Sequence, residues 1–187
     1  DVLKNISLDI KGRQLVAITG KSGCGKSTLL NVLYNIEHPT SGTVIFGGKE
    51  LSKMSNKDKV FYHSHCVSMV FQHYNLLDNL TALDNAIMPL LIRGKKRKDA
   101  INKALPMFRQ FGLEKVIYQN TSLLSGGEKQ RVAIIRALIT EPKAILCDEP
   151  TGALDSINSI QIMEILKEVS RKTTVILVSH DKELVNK

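Results

Sequence analysis

Gly20-Lys21-Ser22-Gly23-Cys24-Gly25-Lys26-Ser27-Thr28 fits the phosphate-binding pattern G-x-x-x-x-G-K-[ST]. What stands on either side decides whether that fit has meaning. Upstream, Leu15-Val16-Ala17-Ile18 is a compact apolar run of the kind that forms a buried strand. Downstream, Leu29, Leu30 and Leu33 recur at helical spacing, so the loop joins a strand to a helix. Gly20, Gly23 and Gly25 let the backbone turn sharply and approach a phosphate with no side chain in between. N–H groups at the start of the following helix then face the anion, and the helix dipole favours it there. Lys26 can reach the β and γ phosphates, and the Ser27 hydroxyl can take a place on Mg²⁺. The stretch predicts a nucleoside triphosphate and leaves its use open.

The rest of the composition narrows the setting. A chain of 187 residues is long enough for one substantial core with a subdomain. No apolar run approaches the ~20 residues that cross a bilayer. Asp1-Val2-Leu3-Lys4 leads straight into strand-like alternation, so no signal peptide is expected. Cys24, Cys66 and Cys147 are odd in number and scattered, which predicts a reducing compartment. A net charge of +8 suits nucleic acid, an anionic membrane surface or an anionic ligand. The densest basic cluster, Lys95-Lys96-Arg97-Lys98, reads as a solvated loop between two helices rather than a lipid contact. Aromatics are few and not interleaved with basic residues, so no nucleic-acid partner is expected.

In chain order, Ile6, Leu8 and Ile10 alternate with Ser7 and Asp9, which predicts a half-buried strand before the one at Leu15. Pro39-Thr40-Ser41-Gly42 precedes a short strand at Thr43 to Phe46, and Gly47-Gly48 is a turn. Lys49 to Lys59 is polar and indistinct. His63, His65 and Cys66 are metal-ligand types, but with no evident fourth ligand they read as polar residues leading into a strand at Val67 to Phe71. Thr81-Ala82-Leu83-Asp84 opens a helix that stops near Arg93-Gly94. A second helix is predicted over about Lys98 to Phe111, ended or kinked by Pro106, with Gly112 as its stop.

Leu124-Ser125-Gly126-Gly127-Glu128 holds a capping box between Ser125 and Glu128, opening a helix to about Thr140. A cap does not explain two glycines in the first turn, where each weakens the helix by ~1 kcal/mol. Bare N–H groups at a helix start suit an anion, so this is a second candidate phosphate site. Ala144-Ile145-Leu146-Cys147 is a buried-strand run ending in Asp148-Glu149-Pro150. Two acids there suit metal and water: Asp148 to hold Mg²⁺, Glu149 as general base. Asp155 stands at or near the N-cap of a helix with Ile162, Leu166 and Val169 inward. Thr174 to Ser179 is one more buried strand, with His180-Asp181 at its end.

Taken together, these stretches resemble the nucleotide-binding domain of the ABC (ATP-binding cassette) ATPases over essentially the whole chain. Gly20 to Thr28 is similar to the family's Walker A, and Gln72 to its Q-loop. Leu124 to Glu128 resembles the LSGGQ signature with Glu in the last place. Ala144 to Glu149 resembles Walker B, Ala153-Leu154-Asp155 the D-loop, and His180 the H-loop. Six such segments in the family's order are specific where each alone is weak.

The resemblance implies an α/β P-loop (RecA-like) core with an antiparallel β subdomain and an inserted helical subdomain. It divides the single domain into residues 1–72 and 141–187 for the core and 73–140 for the helical part. It implies ATP and Mg²⁺ as cofactors, with Ser27, Gln72 and Asp148 toward the metal. Glu149, His180, Gln72 and Lys26 become the catalytic set. Lys21, Ser22, Cys24 and the rest of the Walker loop, with Ser125, Gly126, Gly127, Glu128 and Asp155, become the nucleotide contacts. It also implies a second ATPase domain docked head to tail, a transmembrane permease partner, and a place at the cytoplasmic membrane face.

Phe71-Gln72-His73-Tyr74-Asn75-Leu76-Leu77, Leu80-Thr81, Asp84-Asn85, Pro89-Leu90 and Ser125-Gly126-Gly127-Glu128 resemble one subgroup. It holds the macrolide-export, lipoprotein-release, cell-division and antimicrobial-peptide-resistance ATPases. Lys129 departs from the subgroup's frequent glutamine. Two other readings compete. A soluble ABC protein acting on ribosomes or DNA usually carries tandem domains or a coiled-coil insertion, and neither is visible. A small-molecule kinase uses the same loop but leaves the signature unexplained.

Overall fold

The structure, a computed structural model, describes residues 2–181. The predicted core range runs on through residues 182–187, which lie outside the described residues. Four strands form one parallel sheet: β1 (Leu15–Thr19), β4 (Val67–Val70), β5 (Ala144–Asp148) and β6 (Thr174–Ser179), in the order β1-β6-β5-β4. The apolar runs that announced three of these strands are nearly unbroken because both faces of the sheet are covered. Alternate residues divide between the faces. Ile145, Cys147, Val175 and Leu177 enter a large core with the long helices, while Leu146, Ile176 and Val178 pack against Leu30, Leu51 and Tyr62.

Helix α1 (Lys26–Leu33) follows β1 across the phosphate loop. The polar stretch that read as indistinct is structured. Lys49–Glu50 is β3 and pairs antiparallel with β2 (Ile45–Phe46), and Asn56–Phe61 is helix α2. Strand β2 is thus shorter than the predicted Thr43 to Phe46. The alternating segment Ile6 to Ile10 is not a strand. Ile6 and Leu8 are exposed, and among the described residues no strand pairs with them. Period-two alternation selects a face, but a strand also needs a neighbour for its N–H and C=O groups.

Helices α3 (Ala82–Ile92), α4 (Arg97–Gln110) and α5 (Gly126–Leu138) pack on one another and on the sheet. Thr81 caps α3, accepting from the Asp84 N–H at 3.0 Å. Both predicted stops are Schellman turns. Gly94 (φ 75°) and Gly112 (φ 67°) take the left-handed position, with Lys95 N donating to Leu90 O and Leu113 N to Phe108 O. Pro106 does not end α4, contrary to its usual effect. The missing N–H costs one internal bond, and the flanking Ala104 and Phe108, both fully buried, hold the helix in place. Arg97, placed by sequence in a solvated cluster, pairs with Asp84 at 2.6 Å. Helix α6 (Ser156–Ser170) carries Ile162, Met163 and Leu166 into the core.

His63 and His65 lie on a π-helical turn, Tyr62–Cys66, ahead of β4. The His63 ring meets Tyr34 edge-on at 4.6 Å, and the His65 ring stacks on Phe61 at 4.8 Å. The two rings therefore have separate aromatic neighbours.

Candidate active site

The order β1-β6-β5-β4 puts four carboxyl ends side by side, where ligands of open parallel sheets sit. Each end carries a residue singled out by sequence: the glycine loop after β1, His180 after β6, Asp148 and Glu149 at β5, and Gln72 past β4. Segments up to 160 residues apart in the chain are thereby collected on one edge.

At the loop, Gly23 and Gly25 have φ of 79° and 97°, and Gly25 is the left-handed N-cap of α1. No side chain caps this helix start, so its first N–H groups stay open to an anion. The buried Lys26 ammonium donates to Gly20 O at 2.9 Å and Lys21 O at 3.1 Å, which curls the loop around it. Lys21, Ser22 and Cys24 are exposed along the loop, and Thr28 is half-buried in the first turn of α1.

The Ser27 hydroxyl donates to Asp148 Oδ1 at 3.0 Å. Burial raises the Asp148 carboxyl above its ordinary value; the Ser27 bond opposes this, Glu149 adds to it and Lys26 opposes it. Glu149 has a φ of 46°, a left-handed conformation that costs a non-glycine residue ~1–3 kcal/mol. Its N–H donates to Val178 O at 3.1 Å, fixing that turn to β6. The side chain, 13 % exposed, lies 3.6 Å from Lys26 Nζ through Oε1 and 2.7 Å from His180 Nδ1 through Oε2. A carboxylate only accepts, so the proton of that bond is on Nδ1 and Nε2 is left for other partners. The Gln72 amide lies beside Gly152, where a Cβ would stand 3.4 Å from its Nε2.

The hydroxyl–carboxylate pair of Ser27 and Asp148 is a hard oxygen donor set. Mg²⁺ is usually held by one or two such groups, with phosphates and water completing its shell, and the residues fit that ion. Among the described residues there is no group of three or more His, Cys, Asp and Glu that could hold a metal by themselves.

The glycine-rich helix start packs beside Leu154 and Tyr74. Ser125 caps α5 with both halves of the predicted box. Its hydroxyl accepts from Glu128 N at 3.3 Å, and its own N–H donates to Glu128 Oε2 at 2.8 Å. Among the described residues no hydrogen bond or ion pair joins Ser125–Glu128 to the Gly20–Thr28 loop. Asp155 caps α6, accepting from Asn158 N at 2.9 Å and from Asn158 Nδ2 at 2.7 Å. These bonds hold its carboxyl below the usual range, the backbone bond most strongly.

Two contributors escaped the sequence reading. Arg136, on α5, donates from Nη2 to Tyr74 O at 2.7 Å and from Nη1 to Asn75 O. Tyr74 and Asn75 both have positive φ, so the guanidinium braces a strained turn just past Gln72. Asn158, in the first turn of α6, carried no signal at all.

The comparisons with known proteins agree with this arrangement. The ABC transporter family matches residues 3–152. The lipoprotein-releasing system ATP-binding protein LolD of Geobacter metallireducens is 43% identical over 188 residues, spanning 100% of this chain and 84% of its own. The dimeric structure of the bacterial ABC transporter cassette MJ0796 superposes with a TM-score of 0.89 at 36% identity, over 99% of this chain and 82% of that one. A dimeric post-hydrolysis structure of the same cassette, bound to ADP and Pi, gives 0.87 over 98% and 82%. The cassette cbiO1 of Clostridium perfringens, part of the transporter complex cbiONQ, gives 0.88 at 31% identity over 98% and 74%. With the family match covering most of its length and the parallel-sheet edge assembled as described, the chain belongs to the ABC transporter family, as an ATP-binding cassette that hydrolyses ATP.

Proposed function

We propose that the chain drives a membrane permease by closing, with ATP, onto a second copy of itself head to tail. Its work is then export or extraction of a peptide, a lipoprotein or a drug. The observation that carries this is that no hydrogen bond or ion pair joins the two phosphate-type sites among the described residues of one copy. The Walker loop lies at the sheet edge with Asp148, Glu149, His180 and Gln72, while the Ser125–Glu128 helix start makes no bond to it within the described residues. A second copy supplies the missing half of each site. The dimeric neighbours and the likeness to LolD support the pairing and the lipoprotein-type substrate. The cbiONQ assembly of the third neighbour supports a permease partner. Among the described residues no helix is long and apolar enough to cross a membrane, so attachment to the cytoplasmic face is through that partner.

In this reading the α1 N–H groups and Lys26 bind the β and γ phosphates. Ser27 and Asp148 would hold Mg²⁺, with Gln72 toward it, and the bound ion would supply charge neutralisation at the phosphates. Glu149 takes a proton from the attacking water, and His180 steadies the γ-phosphate by donating a ring N–H to it. Ser125, Gly126, Gly127 and Glu128, with Asp155, face the partner's nucleotide. Residues 1–72 and 141–187 act as the core and 73–140 as the helical subdomain that answers the permease.

The test is Glu149→Gln in MgATP, followed by sedimentation and phosphate release. The expected outcome is a stable dimer with turnover reduced at least about a hundredfold, the usual scale of a lost general base. Turnover near that of the parent chain removes Glu149 from the role.

A further inference from the structure

The two glycines at the start of α5 have close neighbours in their own chain. A Cβ at Gly127 would stand 2.3 Å from Asn158 Oδ1 and 2.7 Å from its Cγ. One at Gly126 would stand 3.0 Å from Tyr74 Oη and 3.3 Å from Leu154 Cδ2. Neither glycine has a positive φ, so the backbone does not demand glycine there. Space demands it, most sharply at the buried Gly127.

The Asn158 carboxamide has a partner of its own. Its Nδ2 donates to Asp155 Oδ2 at 2.7 Å and its backbone N–H to Asp155 Oδ1 at 2.9 Å. The amide's donor end is committed to the aspartate, and its oxygen end lies on the glycine. A methyl group at Gly127 would displace the carboxamide and break its bond to Asp155.

We infer that Asn158 is a positioning residue. Holding Asp155 on one side and seated against Gly127 on the other, it fixes the start of α5 to the Ala153–Asp155 loop, so that both reach a second copy's nucleotide as one body. This rests on the head-to-tail reading above. It gives Gly127 a role inside its own chain: the missing side chain makes room for Asn158.

The experiment uses the full chain carrying Glu149→Gln, with ATP-driven dimerisation read by sedimentation. Thermal unfolding is read alongside, to show that each variant is folded. Gly127→Ala is expected to weaken dimerisation about tenfold or more, and Asn158→Ala a few-fold. Gly127→Ala combined with Asn158→Ala is expected to return to within about threefold of Asn158→Ala alone, because the methyl then occupies the vacated space. Asn158→Ala should leave the single chain's affinity for a fluorescent ATP analogue unchanged. A double variant as weak as Gly127→Ala, or a Gly127→Ala chain that dimerises like its parent, overturns the inference. Failure of the parent Glu149→Gln chain itself to dimerise overturns the head-to-tail reading instead, and the inference with it.

Discussion

Asp148 holds a carboxylate partly out of water beside a second acid, and burial raises its pKa above the ordinary 3.8. The folded chain therefore keeps this proton to a higher pH than the unfolded chain does. The stability that contributes is full below the unfolded value and is lost as pH rises through the raised folded value. Asp148→Asn preserves the acceptor for Ser27 and removes the charge. In buffer without metal or nucleotide it should raise the thermal midpoint at neutral pH, with the gain shrinking on acidification, while ATPase activity is lost. A midpoint that falls at neutral pH would mean that the Lys26 and Ser27 contacts outweigh the burial. Cys24 is a second residue-scale probe. It is the exposed one of three free thiols, and burial pushes the Cys147 thiol up to about 12. Alkylation should mark Cys24 first and inhibit, with ATP protecting; equal labelling with and without ATP would place the nucleotide elsewhere.

Among the elements, α5 joins parts of the chain that lie far apart in sequence. Its start meets Tyr74, Leu154 and Asn158, its middle is fully buried at Val132, Ile134 and Ile135, and Arg136 grips the turn after Gln72. The turn after Gln72 is thus tied to the helix that begins at Ser125. Arg136→Lys keeps the charge but loses the two-pronged fork, leaving one backbone carbonyl of a strained turn without its donor. The expected cost is about 2 kcal/mol, read from urea unfolding. A change within ~0.5 kcal/mol, the range of ordinary surface substitutions, would show that the turn holds itself. No local pattern hints at this brace, because Arg136 and Tyr74 are 62 residues apart and nothing about an arginine in a helix names its partner.

For the whole molecule the decisive question is the proposed pairing with a second copy. Among the described residues of one copy no hydrogen bond or ion pair joins the Walker loop to the Ser125–Glu128 helix start, and the proposed trans arrangement predicts a particular split. Ser125→Arg loses the α5 cap, worth about 1 kcal/mol, and puts bulk and charge where a second copy's phosphate would come. Single-chain affinity for an ATP analogue should stay within about threefold while ATPase activity falls about a hundredfold or more, the scale expected when transition-state contacts alone are removed. Affinity falling in step with activity would mean that the signature acts on its own chain's nucleotide.

Local chemistry decides what a residue can do, and that much was readable. The glycine loop with Lys26 and Ser27, the Asp148-Glu149 pair after an apolar run, the capping box at Ser125 and the glycine stops at Gly94 and Gly112 all depend on neighbours within a few residues. A linear pattern can encode such neighbours. Where a segment's state depended on a distant partner, the pattern misled: Ile6 to Ile10 alternates but finds no strand to pair with, and α4 runs through Pro106 because its flanks are buried. The order of residues alone carries the chemistry of this protein, its phosphate loop, acids and caps. Folding is what brings four strand ends to one edge, sets Glu149 between Lys26 and His180, and seats Asn158 against Gly127. Those facts are set by the order in which strands pair and helices close-pack, and contacts across the chain leave no local mark on the residues that make them.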